Sequence, residues 1–261
     1  MQSEAVYQHF RSEEAPLIAE FSDLINQAES EYRPILTNFL DPRERVIIAA
    51  LLPDNGLVKF KSWGGFKDAE RQRGIFYPTY FKPRQDDFEL TLLQLRYPIK
   101  FAQLKHSQIL GTILGSGLQR QVIGDIITDD QQWQVVVDQK IAQYLINQVD
   151  RIGRTKVKFE TTLLSQVLSP AIDWQRAEIS VLSWRLDTVL AMVFHFSRKK
   201  AKELLAADKV QLNWSRLNRP DTQLKLQDVL SVRGYGRVKL VSTTGVSKRG
   251  RIHLQVDILK K

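Results

Sequence analysis

Cysteine is absent from this 261-residue chain. Disulfides, cysteine-based zinc sites and thiol nucleophiles are therefore excluded, and the usage fits a reducing compartment. Histidine is scarce: His9, His106, His195 and His253 are dispersed, and none forms the i, i+4 pair of a helical zinc site. No apolar run approaches membrane length, and the opening MQSEAVYQHFRSEEAPLIAEF mixes carboxylates with apolar residues where a signal peptide would have a basic segment and an apolar one. A cytoplasmic protein with no membrane partner is expected. Internal repeats and low-complexity tracts are missing too. Gly111, Gly115, Gly117 and Gly124 do not make a nucleotide loop: no Gly-Lys-Ser/Thr follows, and they lie within and after a predicted helix, where a phosphate cradle needs them between strand and helix. They read as helix-ending and close-packing positions, and no cofactor is expected.

Positive charge is plentiful and unevenly placed. The net charge is +9, and the segment from Arg176 onward holds 18 Lys and Arg against 7 Asp and Glu, whereas the residues before it hold 20 against 22. All of the surplus is C-terminal. A basic domain joined to near-neutral ones is the footprint of a polyanion binder, because each neutralised phosphate releases condensed counterions.

The pattern predicts an α+β chain. Residues 1 to about 50 read as helices, with Leu17, Phe21, Leu24, Ile25 and Ala28 on one 3.6-residue stripe, and Asp41-Pro42 capping and opening a second helix. Leu57 to Phe60 reads as a strand, and KSWGGFKDAERQRGIFYP as a tight loop at Gly64 and Gly65 followed by a polar helical turn, an ordinary surface connection. From Asp87 strands and helices alternate: Phe88 to Tyr97, the helix Lys105 to Gly115, Val122 to Thr128, Trp133 to Val137, the helix Gln139 to Val149, and Lys156 to Glu160. That order, βαββαβ, is the ferredoxin-like, RRM-like sandwich, although the aromatic stacking residues of an RNA-reading sheet are not evident. Three domains are expected: a mainly helical α+β domain over 1–84, the ferredoxin-like domain over 85–170, and a basic domain over 177–261.

The basic domain carries the sharpest local signal, in SWRLDTVLAMVFHFSRKKAKELLAADKVQLN. Leu186, Val189, Leu190 and Val193 mark one helix, and Ala201, Leu204 and Leu205 mark a second that Ser197 caps. Arg198, Lys199 and Lys200 follow the cap directly, where the helix dipole favours carboxylates. Cations there oppose stability and favour phosphate. Beyond lie strands at Val210 to Asn213 and Asp228 to Gly234, then a hairpin of Arg237 to Ser242 and Arg251 to Leu259 around the basic turn Ser247-Lys248-Arg249-Gly250.

The segments RLDTVL, SRKKAKELL, KVQLN and DVLSVRGYG closely resemble the small RNA-binding domain named after the fourth small-subunit ribosomal protein, the S-four (alpha-L) domain. Arg185, Leu186, Asp187, Val189, Ser197, Arg198, Ala201, Val210, Asn213, Asp228 and Arg233 match its pattern in order and spacing. Asp208 and Trp214 depart from it, standing where the family commonly has glycine turns. With WGGFKDAERQRGIFYP and ILGTILGSGLQRQVIGDII ahead of that domain, essentially the whole chain resembles the YlmH family of bacterial proteins.

The resemblance implies RNA binding and association with a large ribosomal subunit carrying an obstructed peptidyl-tRNA, as in ribosome-associated quality control. The expected function is thus a non-enzymatic, monomeric factor that docks on ribosomal RNA and tRNA. Its expected RNA-binding residues are Arg185, Ser197, Arg198, Lys199, Lys200, Lys202, Lys209, Asn213, Arg233, Arg237, Lys248 and Arg249. The resemblance adds Arg71, Arg73 and Arg120 as secondary candidates. Two other readings stand beside it. One is an RNA-modifying enzyme whose basic domain delivers substrate, against which residues 1 to 175 show no methyl-donor loop, no synthetase signature and no Asp-centred pseudouridine synthase motif. The other is a division-linked scaffold, suggested by the cell-division gene cluster that usually encodes the family.

Overall fold

The computed structural model describes residues 14–53, 55–169 and 174–260, which fall into two compact units, residues 1–171 and 172–261. In the first unit α1 (Ala15–Ser30) buries Ile18, Phe21 and Ala28; of the predicted stripe Phe21 and Ala28 are buried and Leu17, Leu24 and Ile25 partly so, and Ile18 joins them. Asp41 starts α2 (Pro42–Leu51) with a reciprocal capping box: its carboxylate accepts from the Glu44 amide at 2.9 Å, and the Glu44 side chain accepts from the Asp41 amide. Between these helices lies β1 (Ile35–Leu40), where helix was expected, and β2 (Val58–Trp63) and β3 (Gln72–Pro78) complete a three-stranded antiparallel sheet in the order β1-β3-β2. The predicted polar helical turn is thus the irregular approach to β3 and the start of that strand. Gly64 is required in the loop between β2 and β3, since a Cβ there would lie 2.5 Å from both the Ala69 Cβ and the Arg71 carbonyl oxygen.

The central strands β4 (Leu90–Arg96), β5 (Ile123–Thr128), β6 (Trp133–Asp138) and β9 (Lys158–Thr162) form an antiparallel sheet in the order β5-β6-β4-β9. Helices α3 (His106–Gly115) and α4 (Gln139–Gln148) connect them as a ferredoxin-like βαββαβ unit. A small hairpin of β7 (Arg151–Ile152) and β8 (Thr155–Lys156) precedes β9. Leu93, Leu95, Val135, Val137 and Phe159 face the two helices, packing on Ile109, Ile113, Ala142 and Leu145.

The opposite face of this sheet is covered as well. Leu92, Val136 and Ile127 pack with Phe39 of β1, with Phe66, and with Leu164, Val167 and Leu168, which follow β9. Gln134 and Gln94 lie buried beside them, bonded to each other at 2.9 Å, and the Gln134 amide group also bonds the Gln166 carbonyl and the Leu168 amide. Both faces being buried accounts for the successive buried residues Leu92 to Leu95 of β4, where a half-exposed strand would alternate. Gly124 admits the Phe39 ring, which would lie 2.7 Å from a Cβ at that position, whereas a Cβ at Gly111 would meet nothing. The expected division at residues 84/85 therefore falls within one unit whose two sheets share a core.

The second unit is a six-stranded antiparallel sheet in the order β10-β15-β14-β13-β11-β12, made of β10 (Gln175–Val181), β11 (Val210–Leu212), β12 (Ser215–Arg216), β13 (Val229–Val232), β14 (Gly236–Val246) and β15 (Ile252–Lys260). Helices α5 (Leu186–Val193) and α6 (Arg198–Ala206) pack on it through Val189, Leu190, Val193, Ala201, Leu204 and Leu205 against Val210, Leu230, Val238 and Val256. Among the described residues no helix is long and apolar enough to cross a membrane, and no group of three or more His, Asp or Glu could hold a metal ion.

Candidate nucleic-acid interface

The start of α6 organises the basic surface. Ser197 has extended backbone, and its hydroxyl accepts from the Lys200 amide at 3.1 Å, the expected cap. The first turn of α6 contains no acidic residue. The counter-charge comes from the neighbouring helix instead: Asp187, wholly buried, accepts from Arg198 at 2.9 Å and from both arms of Arg185 at 3.1 and 3.3 Å. Burial pushes the Asp187 carboxyl up, and the hydrogen bonds from Arg185 and Arg198 outweigh it, so its pKa lies below the ordinary aspartate value. Asp187 holds these two guanidinium groups in place while the Arg198 side chain stays 59% exposed. Lys199, Lys200 and Lys202 are exposed on the same helix, and Lys200 makes a 3.8 Å ion pair with Glu203.

The strand connections carry the other cations. Lys209 follows α6, and its carbonyl accepts from the Arg233 amide at 2.8 Å, joining the two cations at one corner of the sheet. Arg237 is half-buried at the start of β14. Lys248 and Arg249 are exposed at the far end of the β14–β15 hairpin, in a turn closed by the Gly250 amide on the Ser247 carbonyl and by the Arg251 amide on the Ser247 hydroxyl. Arg251 turns inward instead and bonds Ser180 through its guanidinium.

Asn213 has a different part. Its amide group donates to Asp228 at 2.8 Å and accepts from the Val229 amide at 2.8 Å, clamping the turn after β11 onto β13. Both polar ends of its side chain are thus engaged within the fold. The two departures from the S-four glycine pattern keep the glycine conformation: Asp208 has φ of 52° and Trp214 φ of 64°. The turns survive at the cost of left-handed backbone in residues with a Cβ.

The secondary candidates in the first unit are engaged within the fold, Arg73 buried and Arg71 and Arg120 half-buried. Arg73 is 4% exposed; it donates to the Thr37 carbonyl at 2.8 Å and pairs with Asp138 at 3.2 Å, tying β3 to the central domain. Arg71 donates to the Phe39 carbonyl, and Asp125 accepts from the Glu70 and Arg71 amides at 2.7 and 3.1 Å. Arg120 bonds the carbonyls of Ile123 and Gly124, and burial, with Arg71 nearby, lowers its pKa to about 10. Arg73, through Asp138, and the Asp125 carboxylate, through the Glu70 and Arg71 amides, join the loop after β2 and the start of β3 to the central domain, while Arg71 braces β1 and Arg120 the start of β5. The sheet face through which RRM-like sheets hold RNA is likewise occupied, by Phe39, Phe66 and the residues after β9.

One feature of the surface has no counterpart in the sequence reading. Phe194 and Phe196, in the short connection between α5 and α6, stack with centroids 5.6 Å apart, and Tyr235 meets Phe196 edge-to-face at 4.6 Å. Spacing along the chain gives no warning of it, because α6 and the strands β11 to β13 separate Phe196 from Tyr235, which stands in the turn between β13 and β14.

Three family models match successive parts of the chain: "YlmH, N-terminal" at residues 13–81, "Putative RNA-binding domain in YlmH" at 83–166, and "S4 domain" at 184–230. A relative from Bacillus subtilis, named ribosome-associated protein quality control protein P2, is 36% identical over 248 residues, which cover 94% of this chain and 95% of that protein. The solved structure of cell division protein ylmH from Streptococcus pneumoniae is 32% identical with a TM-score of 0.55, and the match covers 62% of this chain and 99% of that one.

Proposed function

Since this chain belongs to the YlmH family, we propose that it is a non-enzymatic, ribosome-associated RNA-binding protein whose C-terminal module docks on structured RNA. The observation that carries the reading is the start of α6. Three successive cations, Arg198 to Lys200, stand where the helix dipole repels them, and the buried Asp187 fixes the first of them while leaving most of it exposed. A surface selected for stability alone would place carboxylates in that turn. Phosphate contacts of this kind fix register and orientation on a folded RNA without reading its sequence.

The finer assignment rests on the relative's name and on the family resemblance. The target would be the large subunit with an obstructed peptidyl-tRNA, contacted through ribosomal RNA and tRNA by a monomeric, cytoplasmic factor built from an N-terminal, a central and an S-four domain. Co-sedimentation of the full chain with purified ribosomal particles tests it. Retention on large subunits carrying peptidyl-tRNA, above that on empty large subunits and on small subunits, is the expected result. Equal retention on all three would refute the assignment and leave only non-specific polyanion binding.

A further inference from the structure

We propose that Tyr235, seated on Phe196 and Phe194, is a stacking platform for an unpaired RNA base beside the phosphate-binding start of α6. This inference rests on the RNA-binding reading above and adds a preference for RNA with an exposed, unstacked nucleotide.

Four observations converge on it. Tyr235 is 38% exposed and is the one large exposed aromatic among the described residues of the second unit. Its ring is held from beneath: the Phe196 centroid lies 4.6 Å away at 79° and that of Phe194 6.3 Å away at 62°. Both phenylalanines are themselves packed on the core of the unit. Its backbone is fixed as well, since Tyr235 donates its amide to the Val232 carbonyl at 2.9 Å, and the flanking Gly234 and Gly236 take φ of 93° and 132°, which a side chain would resist. Finally, its surroundings are cationic. Arg233 and Arg237 stand on either side of it in the chain, and Phe196 immediately precedes the Ser197 cap and the run Arg198 to Lys200. A rigid aromatic ring among phosphate-binding cations is the arrangement by which proteins hold single-stranded nucleotides: the cations take the backbone and the ring takes the base, whichever base it is.

The test compares two RNA probes, a hairpin with an unpaired loop and a blunt duplex of the same length, titrated against the full chain and its variants. Tyr235→Leu keeps an apolar contact on Phe196 but removes the π face, and Tyr235→Phe keeps the face without the hydroxyl. Tyr235→Leu is expected to weaken hairpin binding by about 5- to 150-fold, the worth of one stacked base, and to leave duplex binding within about twofold. Tyr235→Phe should bind both as the parent does. Replacing the loop nucleotides by abasic sites should weaken the parent and leave Tyr235→Leu unaffected. Unchanged hairpin binding by Tyr235→Leu, or an equal loss on both probes, would overturn the platform. A parent chain that bound neither probe would instead overturn the RNA-binding reading itself, and the two failures are told apart within the same titrations.

Discussion

Replacing Lys199 and Lys200 together by glutamine should move stability and RNA affinity in opposite directions. Both side chains are exposed, and among the described residues the only ion pair either makes is the weak Lys200–Glu203 contact. They occupy the second and third positions of α6, at the positive end of the helix dipole, and no acidic residue shares that turn. Removing a cation from a helix start relieves about 0.3 kcal/mol or more, so the double variant should be more stable by roughly 0.5–1 kcal/mol. For RNA the sign reverses. If each lysine neutralises one phosphate, the slope of log affinity against log salt should fall by about 1.4–1.8 in magnitude, which at 0.1 M salt weakens binding by about 25- to 60-fold. The assays are denaturant unfolding of the full chain and titration of a hairpin RNA at several salt concentrations. Loss of both stability and affinity would mean that the lysines hold the helix together. A stable variant with an unchanged salt slope would mean that they touch no phosphate. Either result refutes the reasoning.

Other consequences follow from the internal ion pairs and turns. Asp187→Asn should destabilise the second unit by about 1–3 kcal/mol, because the hydrogen bonds it accepts from Arg185 and Arg198 would lose their charged acceptor. Since the folded carboxyl titrates below the ordinary value of 3.8, its contribution in the parent is complete above that value and is lost as pH falls through the lower folded one. Unfolding midpoints measured across acid pH should therefore converge for the parent and the variant only at the acid end. Arg73→Gln should cost the first unit about 3–5 kcal/mol by leaving Asp138 buried without its partner, while the hairpin affinity of protein that remains folded stays unchanged; a selective loss of RNA binding would restore Arg73 as an RNA ligand. Asp208→Gly should stabilise the second unit by up to about 1 kcal/mol, read as a shift in the unfolding midpoint, because glycine adopts φ of 52° without the Cβ clash.

Much of the fold was legible where one periodicity dominates. The ferredoxin-like order of the central strands and helices, the Ser197 and Asp41 caps and the basic hairpin follow from local chemistry that no distant contact overrides. β1 was not legible, because ILTNFL is a six-residue apolar run between two helices, too short for its period to distinguish strand from helix. The start of β3 was hidden for a different reason. Gln72 and Arg73 look like surface residues until Asp138 and the Thr37 carbonyl, far away in sequence, enclose the guanidinium. Asn213 shows the same limit within the site: its residue type and position match a binding-domain pattern, and its clamp on Asp228 and Val229 is visible only in the fold. The α6 cations were legible since they conflict with their own helix, a local signal. The Phe194, Phe196 and Tyr235 cluster was not, because only the sheet brings Tyr235 to the connection between α5 and α6.

Ultraviolet cross-linking of the full chain to RNA in cells, with both the cross-linked peptides and the attached RNA identified, tests the central claim most directly. The account predicts peptides from the start of α6, the Arg233–Arg237 turn and the Lys248–Arg249 turn, joined to large-subunit ribosomal RNA and tRNA. Cross-links confined to the first unit, or RNA drawn indiscriminately from messenger transcripts, would contradict it.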